Sequence, residues 1–147
     1  MIDAVEAEQA VGYDPKTLVL LQPTSPLRIA EDIRAALEVY LQGGCGDTVV
    51  TVCDVDHPTA WVGTIGQGSR LEGVDLSGKR SQDYPKEYRL NGSVYIASTN
   101  FVMRHHRLFT DRVRASMIPR TRSIDIDEKI DLDLCEIKML KKINEKV

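Results

Sequence analysis

Two apolar runs separated by a segment with helical periodicity constrain the fold of this chain most strongly. Residues 17–22 are rich in leucine and valine without polar alternation, which is typical of a strand covered on both faces. After two prolines, apolar residues recur at helical spacing until Gly43 and Gly44, and residues 47–53 form the second run. A strand, a helix and a strand in this order predict a right-handed parallel crossover in an α/β sheet.

The rest of the chain predicts shorter elements. The first dozen residues resemble the end of a helix, and the glycine-containing stretch 57–82 predicts an excursion from the main sheet with a weak strand. Further predicted elements are a strand at 90–97, a short helix near Phe101 capped by Ser98, Thr99 or Asn100, a short strand at 124–126 and a closing helix from Glu128. That helix would carry an apolar stripe on one face and end in cations that suit its dipole. The stripe is Ile130, Leu134, Ile137 and Leu140, and the cations are Lys141, Lys142 and Lys146.

Composition and charge exclude several classes of protein. A length of 147 residues suits a single domain, 1–147, with its own core. The longest apolar run is four residues, 18–21, so we expect no membrane span. A net charge of −3 gives no footprint for nucleic acid. Three cysteines without a CxxC pair predict reduced thiols in a cytoplasmic protein.

A polar tetrapeptide, Gln22-Pro23-Thr24-Ser25, follows the first predicted strand. Ligands of open α/β sheets bind beyond the carboxyl ends of the strands, and the next helix would offer its free backbone N–H groups there. The prolines fix the path of the chain, so Gln22 and the hydroxyls would point in defined directions. The alternative is a capping loop in which Thr24 or Ser25 only satisfies the start of the helix.

Two aspartates alternate with isoleucines in Ser123-Ile124-Asp125-Ile126-Asp127. In a strand both carboxylates would project from one face while the isoleucines enter the core. Adjacent carboxylates repel each other unless a cation lies between them, and Mg²⁺ normally binds through one or two carboxylates plus substrate phosphates. The alternative is that Asp127 caps the final helix and Asp125 is solvated.

The densest positive stretch begins at Lys79-Arg80-Ser81-Gln82 and leads through Lys86 and Arg89 into Asn91-Gly92. An arginine such as Arg80 can hold a carboxylate or a phosphate with two parallel hydrogen bonds, and Gln82 and Asn91 add directional ones. Two alternatives need no ligand. The stretch can be a solvated charged loop, and Asn91-Gly92 can be a hairpin turn.

The chain contains three strings that resemble motifs of the acylneuraminate cytidylyltransferase (CMP-sialic acid synthetase) family in their order and spacing. They are LLQPTSPLR at 20–28, RLNGSVYI at 89–96 and SIDID at 123–127. The resemblance implies transfer of CMP from CTP to a 2-keto nonulosonic, sialic-acid-like sugar acid, giving a CMP-sugar and pyrophosphate. It implies a Rossmann-like nucleotide-diphospho-sugar transferase sheet in three αβα layers. It also implies a homodimer, with residues 55–117 as an excursion for dimerisation and sugar binding.

The resemblance also implies roles for individual residues. Asp125 and Asp127 match the metal-binding aspartates of the family, which makes Mg²⁺ the expected cofactor. Gln22 matches a glutamine that contacts the sugar acid. Arg80 is similar to an arginine that meets the sugar carboxylate, although its spacing to the Asn-Gly motif differs by one residue. The other implied substrate contacts are Gln82, Asn91, Tyr95 and the pair Leu108 and Phe109, which stands where some members receive the acyl group across the dimer.

The basic, glycine-containing phosphate loop that opens the family has no counterpart before Leu18. We therefore expect a partial domain, incomplete at its N-terminus, that binds CTP poorly by itself and exposes a strand edge. Two other functions stay open. One is a non-catalytic dimerisation or binding remnant of such an enzyme, and the other is a sugar-1-phosphate nucleotidyltransferase of the same broad fold class.

Overall fold

A four-stranded sheet forms the centre of the computed structural model, which describes residues 1–144. The helices are α1 (Ile2–Ala10), α2 (Ala30–Gln42), α3 (Thr99–His105) and α4 (Lys129–Asn144). The strands are β1 (Thr17–Leu21), β2 (Thr48–Asp54), β3 (Thr64–Ile65), β4 (Leu71–Glu72), β5 (Tyr88–Ser98) and β6 (Val113–Met117). Short 3₁₀ turns lie at Thr59–Trp61, Gln67–Ser69, Ser81–Asp83 and Arg120–Arg122.

The main sheet has the strand order β1-β5-β2-β6. Strand β5 is antiparallel to both β1 and β2, and its Tyr95 lies opposite Leu20 on one side and Val50 on the other. Strands β2 and β6 are parallel. The two strands of the predicted crossover therefore run in the same direction, but they are not neighbours, because β5 lies between them.

The core lies between α2 and the sheet. Ala36 and Tyr40 of α2 pack against Val49 of β2 and against Val94 and Ile96 of β5, and all five residues are buried. The apolar face of α2 predicted from helical spacing is thus the face that covers the sheet. This packing fixes the position of β5, whose other end carries the Asn-Gly motif.

The predicted excursion is shorter in the structure than the range 55–117. Strands β5 and β6 both belong to the main sheet, so the chain leaves that sheet only between β2 and β5. There it forms the β3–β4 hairpin, and two hydrogen bonds within the segment stabilise it. The Glu87 carboxylate accepts a 2.8 Å hydrogen bond from the Thr59 backbone N–H, and the Tyr84 hydroxyl donates one of 2.7 Å to Asp75.

One prediction for the end of the described chain is wrong. Residues 123–126 form no strand, and their backbone is irregular. The α4 stripe of Ile130, Leu134, Ile137 and Leu140 is exposed, whereas Cys135 of the same helix is buried. Lys141 is exposed, the side chain of Lys142 and the whole of Lys146 lie outside what the structure describes, and the predicted role of those two cations is untested.

Within residues 1–144, none of the helices combines the length and the apolar character that crossing a membrane requires. The three cysteines form no disulfide, and Cys53 and Cys135 are buried while Cys45 is exposed.

Candidate active site

The first and third sequence motifs meet through their backbones. The Ile126 N–H donates a 2.8 Å hydrogen bond to the carbonyl oxygen of Thr24, so the carboxylate segment lies beside the loop that follows β1. The Arg28 side chain holds that loop against β5. Its guanidinium donates to the carbonyl oxygens of Gln22 at 3.2 Å and of Ser93 at 2.7 Å, which joins the end of β1 to β5.

The second motif joins the same place through Gly92. This residue has a φ of +71°, a conformation that side chains with a Cβ rarely adopt. A Cβ at this position would collide with the side-chain oxygen of Gln22 and would come within 3.2 Å of Oδ2 of Asp125. The missing side chain therefore leaves the space in which the Gln22 amide and the Asp125 carboxylate lie close together.

Neither hydroxyl of the tetrapeptide caps α2. The helix begins at Ala30, and its N-cap Ile29 gives its backbone N–H to the Asp32 carboxylate at 3.0 Å. Ser25 is instead fully buried, and its hydroxyl donates to the Asn91 carbonyl at 3.4 Å. The capping alternative for this loop is wrong. The loop after β1 is instead hydrogen-bonded to β5 through Ser25.

Asn91 is a buried junction between three segments. Its Oδ1 accepts hydrogen bonds from the Thr51 hydroxyl at 2.7 Å and from the Ser93 N–H at 3.2 Å. Its Nδ2 donates to the Ser123 hydroxyl at 2.9 Å. With 2% of its surface exposed, Asn91 holds the carboxylate segment against β2 and β5 rather than facing solvent. The hairpin alternative for Asn91-Gly92 is also wrong, because both residues lie within β5.

The two aspartates lie in different environments. Oδ1 of Asp125 is buried and has no hydrogen-bond partner among the described residues, whereas Asp127 is exposed. The Asp131 carboxylate accepts the backbone N–H groups of Asp127 at 3.2 Å and Glu128 at 2.9 Å, so Asp131 satisfies the start of α4. The alternative in which Asp125 is merely solvated and Asp127 caps the helix does not match this arrangement.

Asp125 and Asp127 face a polar cleft of about 330 Å³. Its charged lining residues are Asp56, Arg89, Arg120, Asp125, Asp127 and Asp131. The cleft thus has two more carboxylates than guanidinium groups, an imbalance that one divalent cation would neutralise. Three of these residues, Asp56, Arg89 and Arg120, lie outside the candidate site residues predicted from the sequence. Only Arg89 carried a signal, since it directly precedes the Leu-Asn-Gly string.

The chemistry of this cleft fits a hard divalent cation. A buried carboxylate oxygen without a partner is costly, and a cation would supply the missing interaction for Oδ1 of Asp125. Across residues 1–144, no three His, Cys, Asp or Glu side chains converge into a self-sufficient metal site. Mg²⁺ commonly binds through one or two carboxylates and completes its shell with water and substrate phosphates.

Tyr95 and Phe109 form an aromatic pair that does not line the carboxylate cleft. Their rings meet edge to face with centroids 6.0 Å apart, and Phe109 is 45% exposed. Burial raises the pKa of Tyr95, and the charge of the Asp125 carboxylate raises it further. Leu108 is half-buried, and its carbonyl accepts the Thr48 hydroxyl at 2.8 Å. This backbone bond fixes the position of the neighbouring Phe109.

The structure does not bring Arg80 to the carboxylate cleft. Its guanidinium donates two hydrogen bonds to Asp83, at 3.2 and 3.1 Å, and its side chain is 72% exposed. Gln82 lines a separate cleft of about 340 Å³, which shares Asp56 with the first. The substrate contacts of Arg80 and Gln82 remain predictions.

Comparison with known proteins places these motifs in a family. The chain is 32% identical over 120 residues to the N-acylneuraminate cytidylyltransferase of Streptococcus agalactiae serotype V, a match that covers 80% of this chain and 29% of the relative. It is 31% identical over 140 residues to the CMP-N,N'-diacetyllegionaminic acid synthase of Legionella pneumophila, which covers 92% of this chain and 59% of the relative. The chain therefore spans less than two thirds of the length of these curated relatives. No protein-family model matches it.

Solved structures show the same fold at low sequence identity. A CMP:2-keto-3-deoxy-manno-octonic acid synthetase complexed with CTP has a TM-score of 0.61 at 11% identity, over 97% of this chain and 68% of that one. A 4-diphosphocytidyl-2C-methyl-D-erythritol synthase from Anaerococcus prevotii has a TM-score of 0.54 at 11% identity, over 92% and 64%. The mixed α/β sheet is thus a Rossmann-like nucleotidyltransferase fold. Over the portion that it shares with the curated relatives, the chain resembles the acylneuraminate cytidylyltransferase family, as its three motifs predicted.

Proposed function

We propose that this protein takes part in the transfer of CMP from CTP to a 2-keto nonulosonic, sialic-acid-like sugar acid, with Mg²⁺ as cofactor. The observation that carries the proposal is the convergence of Gln22, Gly92 and Asp125 at one point beside the cleft that also contains Asp127. The family relationship supports the reaction class, since its curated members are named for cytidylyl transfer to sugar acids.

The reaction joins a sugar hydroxyl oxygen to the α-phosphorus of CTP and breaks the bond from that phosphorus to pyrophosphate. Such transfers depend on positioning and on neutralising charge more than on a covalent protein intermediate. Gln22 would orient the sugar acid through its amide, which the lack of a Cβ on Gly92 allows to lie beside Asp125. Tyr95 and the exposed Phe109 would form the apolar wall on which the acyl substituent packs.

Asp125 and Asp127 are the residues that would hold Mg²⁺. The bound ion would supply positive charge for the phosphate oxygens of the nucleotide. Asn91 supports this pair indirectly, because its amide holds Ser123 at the start of the carboxylate segment.

We also propose that the protein is a cytoplasmic homodimer. The free thiols fit a reducing compartment. Exposed apolar residues on the outer strand β6, Val113 and Met117, and the exposed ring of Phe109 give the chain surface that a second copy would cover. Light scattering coupled to size-exclusion chromatography tests the dimer, and a mass of one chain at all accessible concentrations would exclude it.

Two measurements on the full chain test the proposed function. The first is calorimetric titration with a CMP-sialic acid, with and without Mg²⁺, and the second is pyrophosphate release from CTP and N-acetylneuraminic acid. We expect Asp127→Asn to abolish the Mg²⁺-dependent part of binding, whereas Asp133→Asn, which changes an exposed carboxylate on α4, should leave it intact. Binding that ignores both Mg²⁺ and Asp127→Asn would refute the proposal.

A non-catalytic binding or dimerisation role is the second candidate. It predicts stable dimers without metal-dependent ligand binding. A sugar-1-phosphate substrate is the third candidate, and replacing the sugar acid in the same titration with sugar phosphates would reveal it.

A further inference from the structure

An ion pair between Arg120 and Asp56 spans the cleft that contains the two aspartates. Arg120 lies in the 3₁₀ turn just before the carboxylate segment, and Asp56 lies in the loop after β2. Each side chain is 52% exposed. The pair therefore joins two segments that both border the cleft, at a place that solvent and ligands can reach.

Two other charged groups near this pair, Asp131 and Arg122, have partners of their own. Asp131 accepts the backbone N–H groups of Asp127 and Glu128, just before α4, and Arg122 is bound to the buried Asp32 carboxylate. This leaves Arg89 and Arg120 as the cations of the cleft, facing a larger number of carboxylates. An anionic substrate that enters would be repelled unless a guanidinium or a metal ion receives it.

We propose that Arg120 binds an oxyanion of the substrate, either the carboxylate of the sugar acid or a phosphate of the nucleotide, and that Asp56 occupies Arg120 until the substrate arrives. The proposal rests on the proposed function and adds a specificity-determining residue to it. A carboxylate on Asp56 and a carboxylate on a sugar acid offer the guanidinium the same pair of acceptor oxygens. Exposed ion pairs contribute little to stability, so Arg120 can exchange one partner for the other at small cost.

Competition between Asp56 and the substrate for Arg120 predicts that substitutions of Asp56 and of Arg120 change anion binding in opposite directions. Removing the charge of Asp56 frees Arg120, so Asp56→Asn should tighten anion binding, because the competent form becomes more populated. Removing the guanidinium should weaken the same binding. If the pair served only to hold the two segments together, both substitutions would act in the same direction.

The test is calorimetric titration of the full chain with two separate probes, N-acetylneuraminic acid without metal and CTP with Mg²⁺. Arg120→Gln should weaken binding of one probe by at least about tenfold, the usual consequence of losing a charge-assisted hydrogen bond. Asp56→Asn should tighten binding of that probe, and the double variant should match Arg120→Gln. Arg120→Lys should fall between wild type and Arg120→Gln. Arg34→Gln, which breaks an exposed ion pair with Glu31 on α2, should match wild type.

The probe that responds identifies the source of the oxyanion. Equal affinity of Arg120→Gln and wild type for both probes, weaker binding by Asp56→Asn, or no binding of either probe by wild type would each overturn the proposal. Its outcome is separable from that of the proposed function. Binding of the sugar acid without metal does not depend on the Mg²⁺ response that Asp127→Asn tests.

Discussion

The backbone N–H of Ile126 lies 2.8 Å from the carbonyl oxygen of Thr24 and donates a hydrogen bond to it. This contact joins the loop after β1 to the segment before α4, although neither segment has regular secondary structure at that point. The positions of Gln22 and Asp125 are therefore coupled through the main chain. A change in either segment should alter the geometry of the other.

Gly92→Ala should disturb both stability and ligand binding. Ala at a positive φ costs about 1 to 2 kcal/mol, and the collision is with the end of the flexible Gln22 side chain, which would have to leave its place beside Asp125. Gly78→Ala is the matched control, since Gly78 has a φ of +81° with open space around its Cα. Urea denaturation measures both variants. We expect similar losses of stability in the two variants and weaker calorimetric binding of a CMP-sialic acid in Gly92→Ala alone. Unchanged binding in Gly92→Ala would show that the position of Gln22 is unimportant.

Asn91→Ala should lower the free energy of unfolding by about 2 to 4 kcal/mol, because it removes three buried hydrogen bonds. The affected groups are the Thr51 hydroxyl, the Ser93 N–H and the Ser123 hydroxyl. Asn100→Ala, at an exposed position of α3, should change stability by less than about 0.5 kcal/mol. If Asn91 were mainly a substrate contact, Asn91→Ala would weaken ligand binding while its urea midpoint stayed at the wild-type value.

Arg122→Gln should destabilise the protein by about 1 to 2 kcal/mol, because it leaves the buried Asp32 carboxylate without its main partner. The lower end of the usual range applies, since 30% of the Arg122 side chain is exposed. The hydrogen bond to Asp32 also raises the pKa of Arg122. Arg34→Gln breaks an exposed pair and should cost less than about 0.5 kcal/mol by thermal or urea unfolding. Equal effects would mean that burial of Asp32 carries no penalty.

Stability should depend on Asp75 at acidic pH. Hydrogen bonds from Ser77 and Tyr84 lower the pKa of Asp75 from 3.8 to about 2. Because the folded pKa lies below the unfolded one, the contribution of Asp75 is fully present above about pH 4 and is lost as the pH falls towards 2. Carbon-detected NMR titration would measure this pKa directly.

The variant Asp75→Asn provides the control for that titration. It should remove this part of the acid-induced loss, and it should lower the pKa of Tyr84, which the bond to Asp75 raises. Absorbance titration of the tyrosines would detect the second effect. A wild-type pKa of Asp75 near its ordinary value would contradict the prediction.

Most elements of the fold were predictable from residue patterns, but the neighbours in the sheet were not. The spacing of Ala36 and Tyr40 marks the buried face of α2, and the apolar run of β2 marks a covered strand. Nothing in the local pattern indicates that β5 enters between β1 and β2. That placement depends on the packing of Val94 and Ile96 beneath α2, which is a tertiary effect.

The site could be predicted in part, for the same reason. Alternation in 123–127 indicated a strand, yet the hydrogen bonds of Ile126 to Thr24 and of Asn91 to Ser123 hold an irregular segment instead. Those bonds are made with distant residues, and single-sequence periodicity contains no information about them. Arg120 and Asp56 were missed because two charged residues far apart in sequence carry no mutual signal.

The insertion of β5 between two earlier strands has a consequence for the order in which the protein assembles. During synthesis, β1 and β2 emerge first, and neither can find its lasting neighbour until the polypeptide has been extended as far as Ser98. Pairings between segments so distant along the chain form slowly, and until they form the strands lack hydrogen-bonded neighbours. The nascent chain should therefore depend on chaperones, or on low temperature during expression, more than its modest size suggests.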